Sequence, residues 1–122
     1  MTTLVTGAGL IGTVFAECAI ARGKTVVFID PEPRADFLRM KLGDKGYSLL
    51  RGDVRDLPAL VEAVKANRAD TIVHTAGLIG GRVQQDLSAA FDINVTTCIR
   101  SVLCSAASSR KCTAHGPVPS RM

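Results

Sequence analysis

Three glycines, Gly7, Gly9 and Gly12, stand near the start of the chain in the order Gly-x-Gly-x-x-Gly, and Asp30 follows 18 residues after the last of them. Residues of these types in this order can hold a nucleotide diphosphate. Amides at the opening of a helix lack intrahelical partners and, with the positive end of the helix dipole, point at an anion. Leu10 and Ile11 supply such amides. Gly7 permits a tight turn, Gly9 lets the backbone approach the phosphates, and Gly12 lets helix and strand come close. Glycines at this spacing also arise by chance, and the alternative is that they serve only a tight strand-to-helix turn. Asp30 falls where a carboxylate can accept both hydroxyls of an adenosine ribose, which favours NAD, because the 2′-phosphate of NADP would meet a negative charge. Arg34 is near enough in sequence to leave NADP disfavoured rather than excluded. The plainer reading of Asp30 is a strand-end turn residue ahead of Pro31.

The elements that must position these residues are legible in the same stretch. Leu4 and Val5 lead into the glycine turn as a short apolar strand. Ile11, Val14, Phe15, Cys18, Ala19 and Arg22 then recur at helical spacing, and Gly23 ends the helix. Lys24 to Asp30 is a β-branched run of the kind buried in parallel sheets. Pro31 and Pro33 break the chain, and a short helix over Ala35 to Leu42 follows. Gly46 to Leu50 gives a third strand. Asp56 is a helix N-cap, with Pro58 tolerated in the first turn and Leu57, Leu60, Val61 and Val64 on one face. Ala69 to Thr75 is a fourth strand. A long helix over 84–107 carries Leu87, Phe91, Val95, Cys98, Ile99, Val102 and Ala106 on its apolar stripe, with Asn94 among them. Strands alternating with helices predict an α/β fold, a Rossmann-like parallel sheet with helices on both faces and about four strands in the order 3-2-1-4. The domain is expected over 1–108, with 109–122 an irregular tail.

The series Thr6-Gly7-Ala8-Gly9-Leu10-Ile11-Gly12, Asp30, Gly52-Asp53-Val54-Arg55-Asp56, His74-Thr75-Ala76-Gly77 and Asn94-Val95 resembles the extended short-chain dehydrogenase/reductase family, which includes NAD-dependent sugar-nucleotide epimerases and dehydratases. The resemblance covers about residues 1–97, with its blocks in the family's order. It implies that Asp53 bonds the adenine amino group beside the Val54 amide. It implies also that His74, Thr75, Ala76 and Gly77 pass behind the nicotinamide-side ribose and the pyrophosphate. A turn residue in a Gly-Asp loop is the bland alternative for Asp53. His74 reads as a strand residue packed near the cofactor rather than an acid or base. Asn94 either organises the loop after the fourth strand, as the family's asparagine does, or is a satisfied core residue; a buried amide needs partners in both cases.

The chain departs from the family twice. Its glycine turn is one residue shorter than the usual Thr-Gly-x-x-Gly-x-x-Gly. The family's catalytic Tyr-x-x-x-Lys is not found either: the single tyrosine, Tyr47, is followed four residues on by Arg51. The sequence after the asparagine helix, ending in Ser108-Ser109-Arg110-Lys111-Cys112 and two prolines, does not read as a fifth strand. This motivates the expectation of a truncated or frame-shifted end. No residue is assigned a catalytic role.

Composition narrows the remaining classes. The net charge of +4 is confined to residues 93–122, while residues 1–92 carry eleven basic and eleven acidic side chains, which argues against a nucleic-acid-binding surface. No apolar run is long enough for a bilayer. Cys18, Cys98, Cys104 and Cys112 are spaced neither as metal ligands nor as a disulfide framework, and Cys18 and Cys98 read as core thiols in a cytoplasmic protein. The expected function is the NAD-binding half of an epimerase/dehydratase-type oxidoreductase acting on a sugar nucleotide or similar substrate. The chain alone is expected to be inactive, and a homodimer through the 84–107 helix is conceivable. The alternatives are a non-catalytic nucleotide-binding or regulatory module and a non-functional fragment.

Overall fold

A computed structural model describes residues 1–78 and 80–97. Four parallel strands, β1 (Thr2–Thr6), β2 (Thr25–Asp30), β3 (Tyr47–Arg51) and β4 (Thr71–His74), form one sheet in the order β3-β2-β1-β4. The order expected from the alternation of elements is the one observed. Helices α1 (Leu10–Ala21) and α2 (Ala35–Leu42) make the first two crossovers, and α3 (Leu57–Ala66) makes the third. The β-branched strand residues alternate between two cores. Leu4, Val27 and Ile29 meet Leu60, Ala63 and Val64 of α3, while Val5, Val26 and Phe28 meet Ala16 and Ala19 of α1 and Leu38 of α2. Period-two side-chain alternation under helices on both faces is what such strands require.

Asp56 caps α3 as expected, its carboxylate accepting the Ala59 amide at 3.1 Å. Replacing Asp56 with alanine is expected to remove about 1 kcal/mol of stability. Thermal unfolding followed by circular dichroism measures this, and an unchanged midpoint would contradict the cap.

The buried face of α1 is not the one the apolar spacing predicts, Ala19 alone being common to both. Its sheet side is Gly12, Thr13, Ala16 and Ala19, all buried. Ile11, Val14 and Phe15 are 73%, 53% and 37% exposed, and Cys18 is exposed rather than a core thiol. The cause is Gly12. A β-carbon there would run into the Gly7 carbonyl oxygen and stand 2.8 Å from Thr75 Oγ1, so only the glycine side of the helix can approach the sheet. Small residues along that side let the whole axis follow.

The single helix expected over 84–107 is also corrected. Short helices α4 (Gly81–Gln85) and α5 (Leu87–Phe91) are separated by Asp86, which leaves helical geometry (φ −149°, ψ 89°) and caps α5 by accepting the Ala89 amide at 2.8 Å. An aspartate carboxylate offers backbone amides a partner outside the helix ladder, and here that competition breaks the helix. A π-helical turn, Asp92–Thr96, follows α5. Leu87, Phe91 and Val95 face outward, at 69%, 61% and 45% exposure, so the expected apolar stripe is not the buried side; Ala90 and Thr97 are buried instead. Cys98, the rest of that helix and the expected tail over 109–122 lie outside the described residues. Among the described residues, no helix is long and apolar enough to cross a membrane.

Candidate functional site

The C-terminal ends of the strands open onto a cleft of about 840 Å³, within the range of ligand-binding pockets. Crevices at the carboxyl ends of parallel strands are where open α/β sheets bind ligands. Its floor is the glycine turn. Gly7 leaves β1 with φ +87°, its amide bonded to Ile29 O at 2.9 Å, and a β-carbon on it would press within 2.8 Å of the Ala76 amide nitrogen. Gly9 is the N-cap residue of α1 and a β-carbon on it would meet nothing within 4 Å, so this part of the floor is open space. No side chain caps α1 and its first turn holds no acid, so nothing within the helix itself offsets its positive end. Thr13 Oγ1 secures the turn from below through Gly9 O at 2.6 Å.

Asp30 ends β2 directly beside this floor. One carboxylate oxygen accepts the Ala8 amide at 2.9 Å and the other accepts the Glu32 amide at 2.8 Å. The two bonds do two things. They tie the end of β2 to the glycine turn, and they leave the remaining lone pairs of a half-buried carboxylate on the cleft. Asp53, at the end of β3, pairs with Arg55, the shortest contact being 2.6 Å, and also accepts the Arg55 amide at 2.9 Å. The hydrogen-bonded Arg55 guanidinium holds the Asp53 carboxyl below the usual carboxylate range. Asp53 is thus both the turn residue of the plainer reading and a cleft-lining group, with buried Val54 beside it.

The loop after β4 forms the opposite wall. Thr75 Oγ1 bonds Thr6 O at 2.7 Å and Gly7 O at 3.1 Å, pinning the loop to the glycine turn. Ala76 and Gly77 continue the wall. Asn94, in the π-helical turn, holds Leu78 twice: its Oδ1 accepts the Leu78 amide at 2.8 Å and its Nδ2 donates to Leu78 O at 2.9 Å. Of the two readings of Asn94, the structure thus shows loop organisation, with the side chain at an exposed rather than a core position.

Of the residues singled out in the sequence, Gly7, Gly9, Asp30, Asp53, Val54, Thr75, Ala76 and Gly77 come together around the cleft. Leu10, Ile11, Gly12 and Asn94 do not line it: the first two sit at the exposed start of α1, Gly12 lies beneath, and Asn94 acts through Leu78. Glu32, Arg82 and Ile93 also line the cleft, and sequence reasoning missed them. Glu32 carries a usable signal, since it follows a strand-end acid by two residues. Arg82 and Ile93 carry none, because their approach depends on how α4 and the π-helical turn fold back.

A model of the NAD dependent epimerase/dehydratase family matches residues 3–115. No curated protein matches the chain. Among solved structures, the chain is similar to UDP-glucose-4-epimerase from Stenotrophomonas maltophila with bound NAD and formylated UDP-arabinopyranose, at 25% identity and a TM-score of 0.77 over 90% of this chain. UDP-glucose 4-epimerase from Thermus thermophilus, in complex with NAD, gives 27% identity and a TM-score of 0.73 over 88% of this chain. The enzyme from Bifidobacterium longum, in complex with NAD+ and UDP, gives 25% and 0.74 over 88%. The chain spans 34% of the length of each of these structures.

Proposed function

The chain belongs to the NAD dependent epimerase/dehydratase family, and from that premise we propose that it binds NAD, with the diphosphate over Gly9 and the uncapped start of α1 and the adenosine between Asp30 and Asp53. The observation that carries this reading is the Asp30–Ala8 hydrogen bond, which holds a carboxylate against the glycine turn itself, where a ribose beside the diphosphate would meet it. The open space above Gly9 is room that a phosphate needs and a side chain would remove. In this arrangement the first-turn amides of Leu10 and Ile11 face the diphosphate, and Gly12 serves by keeping those amides close to the sheet. Asp30 accepts the ribose hydroxyls, and Asp53, oriented by Arg55, takes the adenine amino group beside the Val54 amide. Thr75, Ala76 and Gly77 wall the nicotinamide side, and Asn94 holds that wall in place. NAD, when bound, supplies a hydride acceptor.

The reaction class we assign is that of an epimerase or dehydratase-type oxidoreductase acting on a sugar nucleotide, in the cytosol. Tyr47, the single tyrosine, donates its hydroxyl to Gly43 O and does not line the cleft. The 122-residue chain is therefore expected to bind NAD without turning over a sugar nucleotide, the proton chemistry at the substrate being assigned to residues outside it.

Gly9→Ala tests the phosphate position. Its backbone (φ −88°, ψ −163°) suits an L-residue, so the loss of stability should stay within about 1 kcal/mol, the level of an N-cap change to alanine. NAD affinity by isothermal titration should fall at least tenfold, because the new methyl stands in the phosphate space. Undiminished affinity would remove the diphosphate from this turn.

A further inference from the structure

His74 is a half-buried side chain with both ring nitrogens engaged, and nothing in the cofactor reading uses it. It ends β4 opposite Thr6 of β1. Its Nδ1 lies 2.6 Å from Thr6 Oγ1 and its Nε2 lies 3.2 Å from Ile93 O. A carbonyl oxygen can only accept, so Nε2 carries hydrogen. In the neutral ring Nδ1 is then an acceptor, and the wholly buried Thr6 hydroxyl donates to it. Ile93 immediately precedes Asn94, whose amide grips both backbone groups of Leu78. From Leu78 the chain runs back through the loop to Thr75, which bonds Thr6 O. The contacts close a ring: Thr6, His74, the π-helical turn, the cleft wall, and Thr6 again.

We propose that His74 is a positioning residue that, as its Nε2–H tautomer, latches the π-helical turn to the ends of β1 and β4 and so sets, through Asn94, the 75–78 wall of the cleft. The latch stands on these contacts alone; its consequence for NAD rests on the reading given under Proposed function.

Adding a proton to Nδ1 would set a ring N–H against a hydroxyl that is itself donating. Among the described residues the Thr6 hydroxyl makes no other hydrogen bond to turn to. Burial holds the His74 pKa below its ordinary value of 6.5, with the Ile93 carbonyl pulling weakly the other way. Of the elements His74 contacts, the π-helical turn carries one charged group, Asp92, and β1 carries none; Asp92 is not among the causes of the lowered value. A folded value below the unfolded one means that the latch's contribution is complete above about pH 6.5 and is lost as pH falls through the lowered folded value.

The test follows hydrogen exchange at the Leu78 amide in the full 122-residue chain without ligand, together with titrations of NAD and of AMP. His74→Phe keeps a ring without polar atoms, and His74→Gln keeps an N–H that can reach Ile93. His74→Asn, which satisfies Thr6 but falls short of Ile93, stands in should the Phe variant not fold. At about pH 7.5 the Phe or Asn variant should lose roughly tenfold of the Leu78 protection, the loss expected for one hydrogen bond, while the Gln variant retains it. Wild-type protection, corrected for intrinsic exchange, should fall as the pH is taken below about 6.5 and stay level in the Gln variant, which has no titrating ring. The Phe or Asn variant should weaken NAD several-fold and leave AMP nearly unchanged, because AMP reaches the Asp30 and Asp53 side and the glycine turn but not the nicotinamide wall. Unchanged Leu78 protection in that variant, or an equal loss at Leu78 and at core amides such as Val27, would overturn the latch, as would equal weakening of AMP and NAD. If wild-type chain takes up no NAD, the cofactor reading fails and the Leu78 measurement still decides the latch.

Discussion

Gly12→Ala should destabilise the chain by about 3 kcal/mol, the upper end of the usual cost of forcing a methyl into a filled contact. The new β-carbon would collide with the Gly7 carbonyl oxygen and stand 2.8 Å from Thr75 Oγ1 and 3.2 Å from Val5 Cγ1. The first of these is backbone and cannot rotate away. Thr75 is held by two bonds of its own, and Val5 is fully buried in the core. The remaining escape is for α1 to lift off the sheet, taking the Leu10 and Ile11 amides with it. Urea unfolding followed by circular dichroism should therefore show a lower midpoint at an unchanged slope. A midpoint equal to that of the parent would mean that α1 does not rest on the sheet through Gly12. The comparison with Gly9→Ala is informative, because the two glycines lie three residues apart in one motif yet meet opposite surroundings.

Asp30→Ala should reduce NAD affinity by roughly thirty- to a hundredfold, the loss of charge-assisted bonds to the ribose hydroxyls. NADP should lose far less, since the carboxylate that would repel its 2′-phosphate is gone and Arg34, lying 4.8 Å over the Phe37 ring, lines the same end of the cleft. The NAD-to-NADP preference should therefore collapse toward parity in isothermal titration. Asp30 also accepts the Ala8 and Glu32 amides, so part of the loss would come from a loosened turn. Asp30→Asn separates the two contributions: its remaining carbonyl oxygen keeps one of those bonds and the side chain keeps its shape. Its NH2 group faces the other backbone donor, so it should lower the melting temperature by less than the alanine variant does and still lose about tenfold in NAD affinity. Unaltered NAD binding by the alanine variant would take the ribose away from β2.

The strand order and the glycine turn were legible because each rests on a local rule. A β-branched run ending in Asp30 has to be buried, and an aspartate before Leu57-Pro58 has to cap a helix. The outer and inner sides of α1 were not legible, because the helix is apolar nearly all round. Its periodicity fits Ile11, Val14 and Phe15 as well as it fits Gly12, Ala16 and Ala19, and only contact with Gly7 and Val5 decides between them. The break at Asp86 was hidden for a related reason, since leucine and phenylalanine continue at helical spacing across it while one carboxylate draws the backbone aside. The sequence does not decide between core and loop for Asn94, because its partner, the Leu78 backbone, is 16 residues away and comes near only once the π-helical turn folds back. Residue types announced the chemistry, then, and tertiary approach chose which neighbours carry it.

The seating of α1 on methyl-sized groups reaches beyond local packing. A helix is a stiff rod, and Ala19 lies about 14 Å along the axis from its first turn. Ala16 and Ala19 behave as shims under that rod, so its tilt is fixed at the end remote from the cleft. On the proposed reading, the strength of the grip on a diphosphate would therefore change with bulk introduced far downstream, at positions that the bound molecule does not touch.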